Sequence, residues 1–96
     1  MAISVRIPTP LRRLTNGSGE AQVQATTLRE AVADLERQFP GINGRILEGD
    51  GELRRFVNVY INGEDVRFNG GLDAAVKERD EISIVPAVAG GAGIVG

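Results

Sequence analysis

The side chains able to do chemistry in this chain are carboxylates, guanidiniums, hydroxyls and a single lysine, Lys77, because the 96 residues include neither His nor Cys. That removes a Ser-His-Asp triad, a Cys nucleophile, a Cys/His zinc site and disulfides together. An all-carboxylate metal site remains open. Acidic neighbours stand at Asp50/Glu52, Glu64/Asp65 and Asp80/Glu81. Paired carboxylates do acid–base work when burial drives their pKa values apart. These pairs fall in turn or loop sequence, where plain solvation is expected. The basic pairs Arg12/Arg13 and Arg54/Arg55 read the same way, with docking to a partner or an anion as the alternative. Gly91-Ala92-Gly93-Ile94-Val95-Gly96 spells GxGxxG after a predicted strand. A dinucleotide site also needs a helix beyond the third glycine, and Gly96 closes the sequence, so no such site is expected.

Two features are less bland. Phe56, Asn58 and Tyr60 alternate with Val57, Val59 and Ile61, so they share one face of a predicted strand. Val85 points the same way from the last strand, and Arg6 joins the group if the first strand lies between them. This face is either a second core layer under a loop or a docking surface. Adjacent exposed apolar and aromatic residues favour docking. The second feature is the end of the chain. Beyond Pro86, residues 87–91 carry no side chain larger than Val88. Such a segment is costly to order but thin enough to thread a narrow channel. A frayed terminus is the ordinary alternative.

Those residues need elements to position them. Ile3, Val5 and Ile7 alternate with polar residues and predict a strand, ended by Pro8 and Pro10. After the turn cluster Asn16-Gly17-Ser18-Gly19, residues 21–25 alternate again and pair back as a hairpin. Thr27-Leu28-Arg29-Glu30 fits a capping box, with the Thr27 hydroxyl accepting from the Glu30 amide and Glu30 reaching back to the Thr27 amide. Leu28, Ala31/Val32, Leu35 and Phe39 continue at helical spacing until Pro40-Gly41, while Arg29, Glu36 and Arg37 fall on the solvated side. Residues 48–52 form a polar loop. Residues 55–61 form a strong strand, and Asn62-Gly63 signals a tight hairpin turn. Residues 64–68 are expected to return as a short strand, 72–76 to make a helical turn, and 80–87 to form the last strand. In that last strand Ile82 and Ile84 face inward and Ser83 and Val85 outward. The order β-β-α-β-β-β, with strands one and five parallel at the sheet centre, is an α+β, β-grasp (ubiquitin-like) arrangement: a mixed sheet of four to five strands with one main helix packed on it.

Composition bounds the rest. A 10.2 kDa chain has room for one core. Hydrophobic residues at 42% are too many for a disordered chain. A formal charge of -2, from 11 basic and 13 acidic residues, lacks the basic excess that nucleic-acid binding favours. No uninterrupted apolar run suggests a signal peptide or a membrane span, so a soluble cytoplasmic protein without nucleic-acid or membrane partners is expected.

The residues 55–68, RFVNVYINGEDVRF, with Gly70-Gly71-Leu72, Asp80-Glu81-Ile82 and the run Pro86-Ala87-Val88-Ala89-Gly90-Gly91, resemble the ubiquitin-like sulfur carriers. That family includes the small subunit of molybdopterin synthase and the thiamine sulfur carrier. The likeness is nearest its cysteine-biosynthesis members, extends to the opening Ile7-Pro8-Thr9-x-Leu11-Arg12, and covers nearly the whole chain to Gly91. It implies a β-grasp domain over residues 1–87 and a tail over 88–96. It implies a carrier that is not itself an enzyme, has no catalytic residues and binds no metal or cofactor. An E1-like activating enzyme, using ATP and Mg, would adenylate the Gly91 carboxylate. A sulfide equivalent would then displace AMP, and the thiocarboxylate would supply a sulfur-accepting synthase. Ala89, Gly90 and Gly91 form the threading tail, and Phe56, Tyr60 and Val85, with Arg6 and Asn58 beside them, map onto the family's docking face.

One departure matters. Members of this kind usually end at the second glycine, whereas here Ala92-Gly93-Ile94-Val95-Gly96 follows and Gly91 is tied up in a peptide bond. Cleavage between Gly91 and Ala92 by a JAMM-type zinc metallopeptidase is therefore expected. The alternatives are a persistent extension or a role for Gly96 as terminus. A molybdopterin synthase small subunit, a ubiquitin-like modifier joined through Gly91, and a non-catalytic β-grasp interaction module are the competing functions.

Overall fold

Residues 2–86 are described by the computed structural model. The expected tail, with Ala89, Gly90, Gly91 and Ala92, lies outside the described residues. The elements run β1 (Ile3–Arg6), β2 (Glu20–Val23), α1 (Leu28–Gln38), α2 (Asn43–Ile46), β3 (Val57–Ile61), β4 (Glu64–Asp65) and β5 (Glu81–Pro86), with 3₁₀ turns at Thr9–Leu14, Val66–Phe68 and Gly71–Asp73. The five strands order as β2-β1-β5-β3-β4 in one sheet. β1 runs parallel to β5, and every other pairing is antiparallel. This is the β-grasp topology, with β5 as the central strand.

Alternation in the strands and helical spacing in α1 meet on one side of the sheet. Val5, Val59, Ile82 and Ile84 point inward against Leu28, Ala31, Val32 and Leu35, all buried. Each valine, leucine or isoleucine among them, withdrawn from water, contributes about 1.5–3 kcal/mol before entropy is charged against it. α1 opens on its cap: the Glu30 N–H donates to Thr27 Oγ1 at 3.2 Å. The reciprocal arm differs from expectation. Glu30 Oε1 accepts from the Thr26 N–H and the Thr26 hydroxyl, both at 2.8 Å, because the Leu28 N–H and Thr26 carbonyl stitch this entry to Ala74 and Val76. Those bonds hold the Glu30 carboxyl below its usual pKa, the Thr26 backbone donor first and its hydroxyl second.

Several boundaries move for identifiable reasons. β2 stops at Val23 rather than Ala25, as the Gln24 N–H turns to the buried Asp34 carboxylate at 3.0 Å. The expected return strand 64–68 is cut to Glu64–Asp65. Asp65 Oδ1 accepts from the Arg67 N–H at 2.9 Å and rolls the backbone into a 3₁₀ turn that sinks Val66 into the core. In the expected helical turn 72–76 only Gly71–Asp73 is helical, and Ala75 bridges to Thr27. Glu36, expected on the solvated side, is half-buried: its carboxylate accepts from the Gly41 and Asn43 N–H groups and caps the entry to α2. The Asn62-Gly63 turn holds, with φ of 52° and 87°, values that favour these two residue types.

Candidate docking face

Outward parity on the inner strands gathers residues that are far apart in sequence. Arg6, Ser83 and Tyr60 form one row across β1, β5 and β3, extended by Glu20 on β2 and Asp65 on β4. Asn58 and Val85 form the next row. The condition set for Arg6, a first strand lying between the other two, is not met: β5 lies between β1 and β3. Arg6 nevertheless shares the face, beside Ser83. Phe56 lies just ahead of β3, in the turn that feeds it.

Exposure bears on the reading of this face as a second core layer. Phe56 is 50% and Val85 43% exposed, so no described loop covers them as a second core layer. Asn58 and Tyr60 are half-buried. Arg6 Nη1 pairs with Glu81 Oε2 at 3.1 Å, with both side chains about half exposed or more, a geometry that contributes little stability. Asn58 is not a free amide, because its Oδ1 accepts from Arg67 Nη1 at 2.8 Å. The sequence reading missed Phe68, which is 85% exposed. As the end of a strand it would have shared parity with the buried Val66. The Asp65 side chain, able to bond its own backbone two residues on, was the signal that a turn begins there.

β5 delivers the root of the tail to the edge of this face. Pro86 pairs with Val57. A groove of about 320 Å³ beside it is lined by Arg6, Pro8, Thr9, Arg12, Val85 and Pro86, among others. One member of each basic pair braces the backbone: Arg12 Nε donates to the Ile7 carbonyl at 3.1 Å, and Arg54 Nε to the Gly44 carbonyl at 2.8 Å. All four arginines are exposed. The carboxylate pairs build turns. Asp50 accepts from the Glu52 N–H and Asp65 from the Arg67 N–H. Asp80 accepts from Asn62 Nδ2 at 2.9 Å and the Lys77 N–H at 2.8 Å. These bonds hold the Asp80 carboxyl below its usual pKa, the Asn62 amide most of all. Among the described residues no group of three or more His, Cys, Asp or Glu residues is placed to hold a metal. The arrangement is suited to recognition: a partly apolar, partly polar sheet face that ends where the tail begins.

Comparison with known proteins gives this geometry a context. A family model described as the ThiS family matches residues 5–91. Sulfur carrier protein CysO of Mycobacterium tuberculosis is 45% identical over 93 residues, spanning 95% of this chain and 100% of that protein. A chain in the crystal structure of the Amycolatopsis orientalis BexX/CysO complex superposes with a TM-score of 0.89 at 47% identity, covering 94% of this chain and 100% of that one. Small archaeal modifier protein 3 of Haloferax volcanii is 38% identical over 65 residues, 68% of this chain and 70% of that protein.

Proposed function

The chain belongs to the ThiS family, and from that premise we propose that it is a sulfur carrier whose working terminus is Gly91, serving cysteine assembly. In the first step a JAMM-type zinc peptidase adds water across the Gly91–Ala92 amide and releases the peptide 92–96. An E1-like partner then joins the Gly91 carboxylate to AMP from MgATP and releases pyrophosphate. A carboxylate is a poor electrophile, whereas the acyl-adenylate has a good leaving group. A sulfur donor displaces AMP, and the resulting thiocarboxylate hands its sulfur to an accepting synthase. The chain is the substrate of these enzymes and supplies recognition.

The observation that carries this reading is the placement of the face. Arg6, Tyr60 and Val85 line the central strands up to Pro86, and Gly91 follows five residues later. Five extended residues span at most about 18 Å. A partner holding the sheet face therefore has a defined radius within which to place its adenylating pocket. The resemblance to a protein named as a sulfur carrier supports the chemistry, and the BexX/CysO complex supports carriage in partnership with another protein. The name of the archaeal modifier relative favours a second reading, in which the activated Gly91 carbonyl acylates an amine.

Intact mass of the protein from its native host tests the proposal. The expected species ends at Gly91 and carries an oxygen-to-sulfur increase at that terminus. Sulfur on Gly96 of the full chain overturns it. Isopeptide remnants of Gly91 on host proteins, without thiocarboxylate, favour the modifier reading, and a co-purifying molybdopterin synthase large subunit moves the carrier to that pathway.

A further inference from the structure

We propose that Arg67 is a positioning residue for partner docking: its guanidinium fixes the turn that presents Phe56 at the rim of the sheet face. The proposal rests on the carrier reading above. Phe56 sits outside the ladder, in a turn closed by the Val57 N–H donating to the Arg54 carbonyl at 3.1 Å. Arg67 Nη2 donates to that same carbonyl at 2.7 Å and to the Val57 carbonyl at 2.8 Å. It thus grips the backbone on both sides of Arg55-Phe56. Nη1 reaches forward to Asn58 Oδ1. Three charge-assisted bonds from one planar fork define a geometry that a flexible ammonium cannot copy. The Arg67 backbone is itself held by Asp65. Among the described ion pairs none involves Arg67, so the charge is directed at the turn.

The body of the fold does not depend on this contact. The Arg54 N–H is separately bonded to the Ile46 carbonyl, and Val57 and Val66 fill the core from the other side. What Arg67 adds is order at a half-exposed aromatic. An aromatic anchor on a loose turn must be ordered at the moment of binding, and that cost is subtracted from affinity. A pre-set turn avoids it.

Two measurements on Arg67→Ala, Arg67→Lys and Phe56→Ala test this. Amide hydrogen exchange on the full chain reads the clamp directly. In Arg67→Ala the Val57 N–H should exchange about tenfold faster, with Val5 and Ile84 still protected as controls for folding. ATP–pyrophosphate exchange by the host's adenylating enzyme, run against the concentration of protein ending at Gly91, reads docking. Arg67→Ala and Arg67→Lys should raise KM for the carrier severalfold with kcat unchanged. Arg67→Ala/Phe56→Ala should be no worse than Phe56→Ala, since both act through one unit. Unchanged Val57 exchange overturns the clamp. Faster Val57 exchange with an unchanged KM, or fully additive KM effects, overturns the docking role. If the unsubstituted protein supports no exchange at all, the carrier reading falls and the docking role with it, while hydrogen exchange still decides the clamp.

Discussion

Ile84 and Val85 are neighbours on the central strand and face opposite ways, so replacing each by Thr puts a hydroxyl into two different environments. Ile84 is 4% exposed and borders a residual void of about 10 Å³ beneath α1, so the site offers little freedom to collapse around a smaller side chain. Ile84→Thr removes roughly two methyl equivalents, about 1.6 kcal/mol at 0.8 per group. It also buries a hydroxyl with no acceptor aimed at it, at about 1–3 kcal/mol. The sum, roughly 2.6–4.6 kcal/mol, lowers Tm by roughly 10–37 °C in a domain of this size. Val85→Thr keeps the β-branched shape on an exposed position, so stability stays within about 0.5 kcal/mol. Docking responds the other way. If Val85 is covered by the adenylating partner, the lost methyl and the desolvated hydroxyl together cost at least about 1.8 kcal/mol, raising KM in pyrophosphate exchange at least roughly 20-fold. Urea titration and thermal melts supply the first comparison, exchange kinetics the second. A Val85→Thr protein as unstable as Ile84→Thr, or one with an unaltered KM, refutes the assignment of the outer face.

Two further expectations concern the frame. Asp34→Ala deletes the buried acceptor of the Gln24 N–H and the partner of Arg37 and Gln38; losing a bond to a charged acceptor costs about 1.5–3 kcal/mol, relieved by about 0.5 kcal/mol of helix propensity, and a urea midpoint at or above that of the unsubstituted chain contradicts the role assigned to it. Glu30 and Asp80 both have lowered folded-state pKa values, so their contribution is complete above the ordinary carboxylate range and fades as pH falls through the depressed values. Tm should therefore decline on acidification below the ordinary Glu value of 4.5, and Glu30→Gln/Asp80→Asn should decline less steeply; parallel profiles contradict the linkage.

How legible the molecule was depended on the range of the interactions. The buried faces of β1, β3, β5 and α1 follow from period-two and helical spacing, because burial acts on one face of one element at a time. The Asn62-Gly63 turn was readable for a similar reason: two consecutive residues that favour positive φ leave few alternatives. What escaped was set by single side chains reaching other segments. The Asp65 carboxylate ends β4 early, Asp34 ends β2, and Glu36 caps the helix Asn43–Ile46 across Pro40-Gly41. Periodicity carries no trace of such contacts. The 3₁₀ turn at Thr9–Leu14 escaped as well: Pro8 before it and Pro10 within it announce only the end of a strand. The docking face was half legible. Phe56, Asn58, Tyr60 and Val85 share parity in the sequence, but their adjacency depends on β5 entering between β1 and β3, a long-range choice.

That insertion is also what joins the fold to the proposed chemistry. A strand at the sheet edge would present the tail far from the centre of any face. β5 instead pairs on both sides, and its alternate residues divide cleanly, Ile82 and Ile84 into the core, Ser83 and Val85 outward. The side chains that anchor the body and those on the outer face therefore alternate along one strand, which ends at Pro86. α1 packs on the opposite side, so a partner can cover the outer face without disturbing the core. Because two neighbouring strands already fix β5, a partner seated on the outer face meets a pre-set segment up to Pro86, and little ordering of that strand is subtracted from its affinity.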